Sequence, residues 1–142
     1  MRNNLDENIK VIQALKPEAQ AIGTVESKED NSQTVDTIGY KDALIILNSG
    51  ETSGSGTLAV KVQASDDNAT WVDITSAAFT SVTAANDQTV YVGRLSCERH
   101  ARYLNIHATA ATAASDFAVT VILGNADNTS ALSQAQTVAF SL

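Results

Sequence analysis

The chain has 142 residues, the length of one domain, and 44% of them are hydrophobic although only 5% are aromatic. Sixteen acidic residues outnumber nine lysines and arginines. The resulting net charge of -7 argues against nucleic-acid binding, which needs a basic footprint, and disfavours an anionic membrane. Cys97 is the single cysteine, which excludes an internal disulfide, and no apolar run approaches the roughly 20 residues of a membrane span. The N-terminal residues are unlike a signal peptide, so we expect synthesis in a cytoplasm.

The first 21 residues carry a pattern that the rest of the chain lacks. Four apolar residues recur there at helical spacing: Leu5, Ile9, Ile12 and Leu15. Pro17 ends any such helix, because the residue before a proline is displaced from the helical conformation. The pattern predicts either a short helix or an extended N-terminal arm over residues 1–21. A helix of this length is marginal alone, so we expect the four apolar side chains to bind a surface of a partner or of the chain itself.

Two short strands and one long apolar strand are predicted next. Ile22 to Val25 and Thr34 to Ile38 are short runs of β-forming residues, in which Val35 and Ile38 are expected to turn inward. Asp42 to Asn48, with the sequence DALIILN, contains four consecutive large apolar residues. Such a run predicts a central strand that is covered on both faces.

The most regular alternation in the chain lies in Thr57 to Ser65. Its apolar side chains share one face: Leu58, Val60, Val62 and Ala64. The sequence Asp66-Asp67-Asn68 then predicts a turn held by side-chain bonds to the backbone. A calcium loop is the weaker interpretation, because the required glycine and the glutamate at the twelfth position are missing. A further short strand is predicted at Trp71 to Ile74.

Three more alternating segments complete the predicted domain: Gln88 to Gly93, Tyr103 to Ala110 and Asp116 to Leu123. The segment between the first two, RLSCERHAR, is the basic cluster of the chain. Arg99 and Arg102 are therefore candidates for contact with an acidic partner surface, and a solvated turn with scattered ion pairs is the alternative.

No catalytic or metal-binding pattern emerges from these elements. Cys97, His100 and His107 are spaced C-x2-H-x6-H, which matches no structural zinc pattern and lacks a fourth ligand close in sequence. The glycine-rich stretch at residues 49–56 has no GK[ST] ending, as a phosphate loop would, and no G-x-S-x-G motif supports a serine hydrolase. We therefore expect no enzyme activity and no cofactor.

The last 18 residues, 125–142, lack the pattern of a domain and are predicted to form a C-terminal arm. Val138, Phe140 and Leu142 alternate at its end. This alternation predicts that the end of the chain adds as a strand to a sheet edge.

Several of these segments occur together in a recognisable order. The chain contains Gly39-Tyr40 before a buried strand, a V-Q-x-SDDN-x-T-W-x-D-I hairpin over Val62 to Ile74, the strand Val90 to Gly93, the basic strand Arg102 to Ile106, and the apolar strand Phe117 to Gly124. In this order the segments resemble those of small phage virion proteins encoded near the major capsid protein. The resemblance covers residues 22–124. A longer C-terminal tail and the Cys97–His100 turn depart from it.

The resemblance implies an all-β fold, an antiparallel jelly-roll-like sandwich over residues 22–124 with an arm at each end. It implies a head decoration or cement protein. We therefore expect the chain to bind the major capsid protein on the capsid exterior, as a homo-oligomer with a trimer preferred to a dimer. The same fold class leaves two alternatives open: a carbohydrate- or receptor-binding module, and a structural protein of the phage tail or neck.

Overall fold

The computed structural model describes residues 8–29 and 34–126. These residues form ten β-strands and one 3-10 turn at Cys97–Arg99. The strands are β1 Lys10–Gln20, β2 Gly23–Glu26, β3 Val35–Asp36, β4 Tyr40–Thr52, β5 Thr57–Ser65, β6 Val72–Ala78, β7 Val82–Thr83, β8 Val90–Ser96, β9 Tyr103–Ala111 and β10 Ser115–Ala126. The predicted all-β fold class is confirmed.

The strands form two antiparallel sheets. Sheet A has the order β1-β10-β4-β8, and sheet B has the order β2-β9-β5-β6. The short strand β3 pairs with the same strand as β2, and β7 pairs with the same strand as β6, so each sheet is four strands wide. When β2 with β3 and β6 with β7 are each counted as one strand, the chain changes sheet at every connection except that from β5 to β6. The first strand pairs with the last, as in a jelly roll.

Alternating apolar residues from both sheets form one hydrophobic core. On β5 and β9 the inward side chains are those that the sequence pattern predicts, and Leu58, Leu104 and Ile106 are completely buried. On sheet A, β4 and β10 contribute Leu47 and Val121 in the same way. Burying aliphatic side chains of this size stabilises a fold by roughly 1.5–3 kcal/mol each.

The N-terminal segment is a strand of sheet A, so the predicted helix is wrong for the residues that the structure describes there. Ile12 and Leu15 are three residues apart, which matches a helix, but a register shift lies between Gln13 and Leu15. A bulge adds one residue to a strand, and residues three apart then face the same side. Both side chains consequently lie in the core, with 5% and 2% of their surface exposed.

Several predicted boundaries shift by a few residues. Strand β4 continues to Thr52, so the glycine-rich connection begins only at Ser53. Strand β10 continues to Ala126, two residues past the predicted end of the domain. Val35 is buried as predicted, but Ile38 is 62% exposed because β3 ends at Asp36 and the chain turns there.

Candidate functional site

The outward side of sheet A carries aliphatic side chains on all four of its strands, with the polar residues Thr120, Asn48 and Arg94 among them. We call the aliphatic group the outer face of sheet A, and it consists of Val11 on β1, Ile122 on β10, Leu44 and Ile46 on β4, and Val90 and Val92 on β8. These residues lie in adjacent rows, because Ile122 pairs with both Val11 and Leu44, and Ile46 pairs with Val92. Together they extend across all four strands of the sheet.

This apolar surface is accessible to solvent in the isolated chain. Val90 and Val92 are each 56% exposed and Val11 is 39% exposed. On β4, Ile45 and Leu47 are buried whereas Leu44 and Ile46 are only partly covered. The sequence predicted cover on both faces of this strand, but sheet B covers only one of them.

A shallow depression of about 440 Å³ lies at one end of the outer face of sheet A. Leu44 and Ile122 form its apolar floor, and Gly124 leaves room beside them. Asp42 and Arg94 stand at the same end of the face and also line the depression. A partner could therefore combine apolar contact with one acidic and one basic group.

The outward side of sheet B has the opposite character, since its side chains bond to one another. At its centre lies Asn105, which is fully buried. Its Oδ1 atom accepts hydrogen bonds from the Ser27 hydroxyl at 3.0 Å and from the Lys28 N–H at 3.1 Å. Its Nδ2 atom donates to Gln63 at 2.9 Å and to Glu26 at 3.1 Å. Both donors and both acceptor positions of this amide are thus satisfied.

The same network continues to the rim of sheet B. Asp73 accepts hydrogen bonds from Lys61 and Gln63, each at 2.8 Å. The ammonium group of Lys28 lies 3.3 Å from Glu26 and 5.8 Å from the centre of the Trp71 ring. In the described part of the chain, no buried side-chain nitrogen or oxygen lacks a hydrogen-bond partner. The described buried polar side chains of this face are therefore satisfied within the chain.

The structure does not bring together those predicted partner-binding residues that it describes. Ile12 and Leu15 are part of the core and are unavailable to a partner while β1 stays in the sheet, and Ile9 is partly exposed beside Gly124. The remaining apolar candidates lie outside the described residues: Leu5, Val138, Phe140 and Leu142.

Of the two arginines predicted to contact an acidic partner, Arg102 already has one within the chain. Its guanidinium donates to both carboxylate oxygens of Asp36, at 2.9 and 2.7 Å, and lies 4.9 Å from the Tyr103 ring centre. The hydrogen bonds from Arg102 lower the pKa of Asp36. Arg99 is exposed on the 3-10 turn.

The described residues contain no cluster of three or more histidine, cysteine or acidic side chains that could hold a metal ion. Burial raises the pKa of the Cys97 thiol to about 11, and the nearby Asp42 carboxylate acts in the same direction. A thiol with so high a pKa is a poor nucleophile at neutral pH. None of the helical segments in the described ranges is long and apolar enough to cross a membrane.

The turn after β5 has the predicted structure. Asp67 Oδ1 accepts hydrogen bonds from the backbone N–H groups of Ala69 at 2.9 Å and Thr70 at 2.7 Å, and from the Ser65 hydroxyl at 2.8 Å. These bonds hold the pKa of Asp67 far below its usual value, the bond from the Thr70 N–H most of all. The carboxylate therefore closes a hairpin.

Comparison with solved structures identifies a protein with a similar fold. The solved structure titled "Crystal structure of PBSX exported protein XepA" superposes with a TM-score of 0.60 and 11% sequence identity. The match includes the whole of this chain but 46% of that protein, so the chain spans about half the length of its structural neighbour. No family model matches the chain, and no curated protein matches it in sequence.

The sequence contains the pattern that produces the outer face of sheet A, but the pattern alone did not predict an exposed apolar face. The run Leu44–Leu47 and the alternation of Val90 and Val92 are visible in the sequence. Periodicity identifies the face that a side chain shares but not whether that face meets the core or solvent. Only the pairing of β4 with β8 and β10 shows that these residues form one outward surface.

Proposed function

We propose that the chain is a structural protein of a phage particle that decorates and stabilises the capsid by binding between major capsid subunits. The observation that carries this proposal is the outer face of sheet A. Large exposed groups of apolar side chains, especially those rimmed by polar residues, mark the surfaces to which partners bind. The resemblance of the ordered segments over residues 22–124 to phage virion proteins supports the choice of partner.

In this proposal the capsid is contacted by the outer face of sheet A, whereas the sequence predicted contact through two terminal arms. Because Lys10–Gln20 is an integral strand of sheet A, deleting residues 1–21 would remove Ile12 and Leu15 from the core. The rigid outer face of sheet A therefore replaces the N-terminal segment as the proposed contact. A homo-oligomer, with a trimer preferred to a dimer, belongs to the proposal, because several modest contacts made at once give firm attachment.

The alternative of a carbohydrate-binding module has no comparable support. Such modules present aromatic rings as platforms for sugars. Here Lys28 lies over Trp71, Arg102 lies over Tyr103, and the Tyr91 hydroxyl donates a 2.6 Å hydrogen bond to the Asn86 carbonyl. These rings are engaged by the chain itself, and we expect a glycan array to give no specific binding.

The proposal is tested by reconstitution of particles that lack the protein. Val92→Asp places a charge in the middle of the apolar surface, and we expect it to reduce occupancy on the capsid at least tenfold. Val72→Asp is the matched control, since Val72 is a 65% exposed valine on sheet B. It should bind like the unmodified protein. Equal occupancy for both variants, with both folded, would refute the assigned surface, and failure of the unmodified protein to bind any capsid would refute the function.

A further inference from the structure

On sheet B a lysine lies opposite the buried amide of Asn105, where the pairing of β2 with β9 continues past the end of β2. Glu26 is the last residue of β2. The Ser27 N–H then donates a 3.0 Å hydrogen bond to the Ile106 carbonyl, which extends the pairing by one residue. Lys28 follows, and its N–H donates to Asn105 Oδ1 at 3.1 Å. The lysine and the amide therefore belong to neighbouring chain segments that face each other.

One carboxylate connects the lysine to the amide. Glu26 Oε2 lies 3.3 Å from Lys28 Nζ, and Glu26 Oε1 accepts a 3.1 Å hydrogen bond from Asn105 Nδ2. Both oxygens belong to the same group, so Glu26 contacts an amine and the nitrogen of a primary amide at once. A carboxylate in this position can take a proton from the amine and deliver it to the amide nitrogen.

The carbonyl group of the same amide is polarised. Asn105 Oδ1 accepts hydrogen bonds from the Ser27 hydroxyl at 3.0 Å and from the Lys28 N–H at 3.1 Å. Two donors that point at a carbonyl oxygen stabilise the negative charge that develops there when a nucleophile attacks the carbon, as in an oxyanion hole. The amine of Lys28 is the nucleophile that this cluster contains, and its long stem is flexible.

The cluster is largely withdrawn from water. Asn105 is fully buried, and the side chains of Lys28 and Glu26 are 24% and 14% exposed. Lys28 Nζ lies 5.8 Å from the centre of the Trp71 ring, which immediately precedes β6. Because β9 and β5 lie between β2 and β6, the lysine stem is directed towards β9, the strand of Asn105. Water that would compete with the amine for the amide carbon therefore has limited access.

We propose that Lys28 and Asn105 form an isopeptide bond, with Glu26 as the proton carrier. Glu26 accepts a proton from Lys28 Nζ, and the neutral amine attacks Asn105 Cγ. As the new C–N bond forms, the bond between Cγ and Nδ2 breaks. Nδ2 leaves as an ammonium ion that carries two protons from Nζ, both passed through Glu26. The net charge is conserved, and no oxidant or reductant takes part.

The bond would fasten β2 to the rest of sheet B. Strand β2 has four residues and is the outer strand of this sheet in the described part of the chain. A short outer strand is among the elements that open first. The new bond joins positions 77 residues apart, and a covalent link of this kind stabilises a fold mainly by restricting the unfolded chain, as a disulfide does. The bond does not depend on the proposed capsid function.

Intact-mass spectrometry of the full, denatured chain tests this assignment. We expect a mass below that of the sequence by one ammonia molecule, and proteolysis should release one cross-linked species that contains Lys28 and Asn105. Lys28→Arg keeps the positive charge but has no nucleophilic amine, and Glu26→Gln keeps hydrogen-bonding groups but cannot act as the proton carrier. Both variants should have the full mass of their sequences.

The matched control is Lys61→Arg. Lys61 lies on the same side of sheet B, but its ammonium group donates to Asp73 at 2.8 Å. This variant should lose ammonia as the unmodified chain does. Circular dichroism of each protein shows that it is folded, so a missing bond is not confused with unfolding.

Four outcomes count against the proposal. The bond is refuted when the folded, unmodified chain keeps the full mass of its sequence after prolonged incubation. Loss of ammonia in Lys28→Arg would assign that loss to another reaction, such as succinimide formation at an asparagine. Full mass in folded Lys61→Arg would make Lys61 the nucleophile. Loss of ammonia in Glu26→Gln would refute the role of Glu26. Capsid occupancy is measured separately, so a failure here is distinguishable from a failure of the proposed function.

Discussion

On sheet B the outward side chains bond to one another around Asn105. On sheet A, by contrast, each of the strands β4, β8 and β10 carries at least one outward aliphatic side chain that is partly or largely exposed. The two sheets pack against each other around one hydrophobic core. Their difference therefore lies in their outward faces. On sheet B the described buried polar groups are satisfied within the chain, and we propose that a partner covers the aliphatic side chains on the outer face of sheet A.

The largest effect on stability is expected on β1, where Leu15 points into the core and Val11 points outward. Leu15→Ala should lower the free energy of unfolding by about 2–5 kcal/mol, because the side chain is 98% buried in the core. Val11→Ala on the outward side should cost less than about 1 kcal/mol. Urea denaturation of both variants measures this difference. Equal, small effects would show that β1 is not an integral strand.

This comparison also shows what the sequence could and could not predict. The alternation in Thr57–Ser65 and Tyr103–Ala110 correctly predicted strands and their inward faces, because a regular strand has a period of two. The N-terminal segment was predicted as a helix or an arm because the bulge at Gln13–Leu15 replaces that period locally with a spacing of three. A bulge depends on the partner strand, which periodicity does not reveal.

The second expected effect lies on sheet B. Asn105→Ala leaves the Ser27 hydroxyl and the Lys28 N–H without their acceptor and leaves Gln63 and Glu26 without their donor. We expect a loss of about 1–3 kcal/mol, the cost of leaving buried polar groups unpaired. Thr109→Ala is the control, since it removes one exposed hydroxyl contact, to Thr24. Thermal denaturation that ranks the two variants equally would contradict a central role for Asn105.

The third effect concerns stability on the outer face of sheet A, where it should be small. Val92→Thr should change the free energy of unfolding by less than about 0.5 kcal/mol, because the side chain is already 56% exposed. It should nevertheless reduce the binding of an apolar fluorescent dye more than Val72→Thr does, because Val92 lies beside Ile46 on the outer face of sheet A. Equal dye binding by both variants would argue against such a surface.

The smallest effect is a pH dependence at the Asp36–Arg102 pair. Because Arg102 lowers the pKa of Asp36 in the folded state, the pair stabilises the fold above the ordinary aspartate pKa of about 3.8. This contribution is lost as the pH falls through the lowered pKa. Asp36→Asn should therefore lower Tm slightly at pH 6, and its effect should shrink as the pH falls below 3.8. The effect is small because both side chains are partly exposed, by 35% for Asp36 and 46% for Arg102.

A double-mutant cycle provides the control for this last comparison. Arg102→Gln should lower Tm at pH 6 by about as much as Asp36→Asn, and the double variant should add little. Fully additive effects would mean that the two side chains act independently despite their two hydrogen bonds.

The position of the sandwich on a phage particle tests the central claim most directly. In a cryo-EM reconstruction of the particle, we predict that Leu44, Ile46 and Val92 contact a capsid subunit and that the network around Asn105 faces solvent. A particle in which sheet B contacts the capsid while the outer face of sheet A stays uncovered would contradict the account.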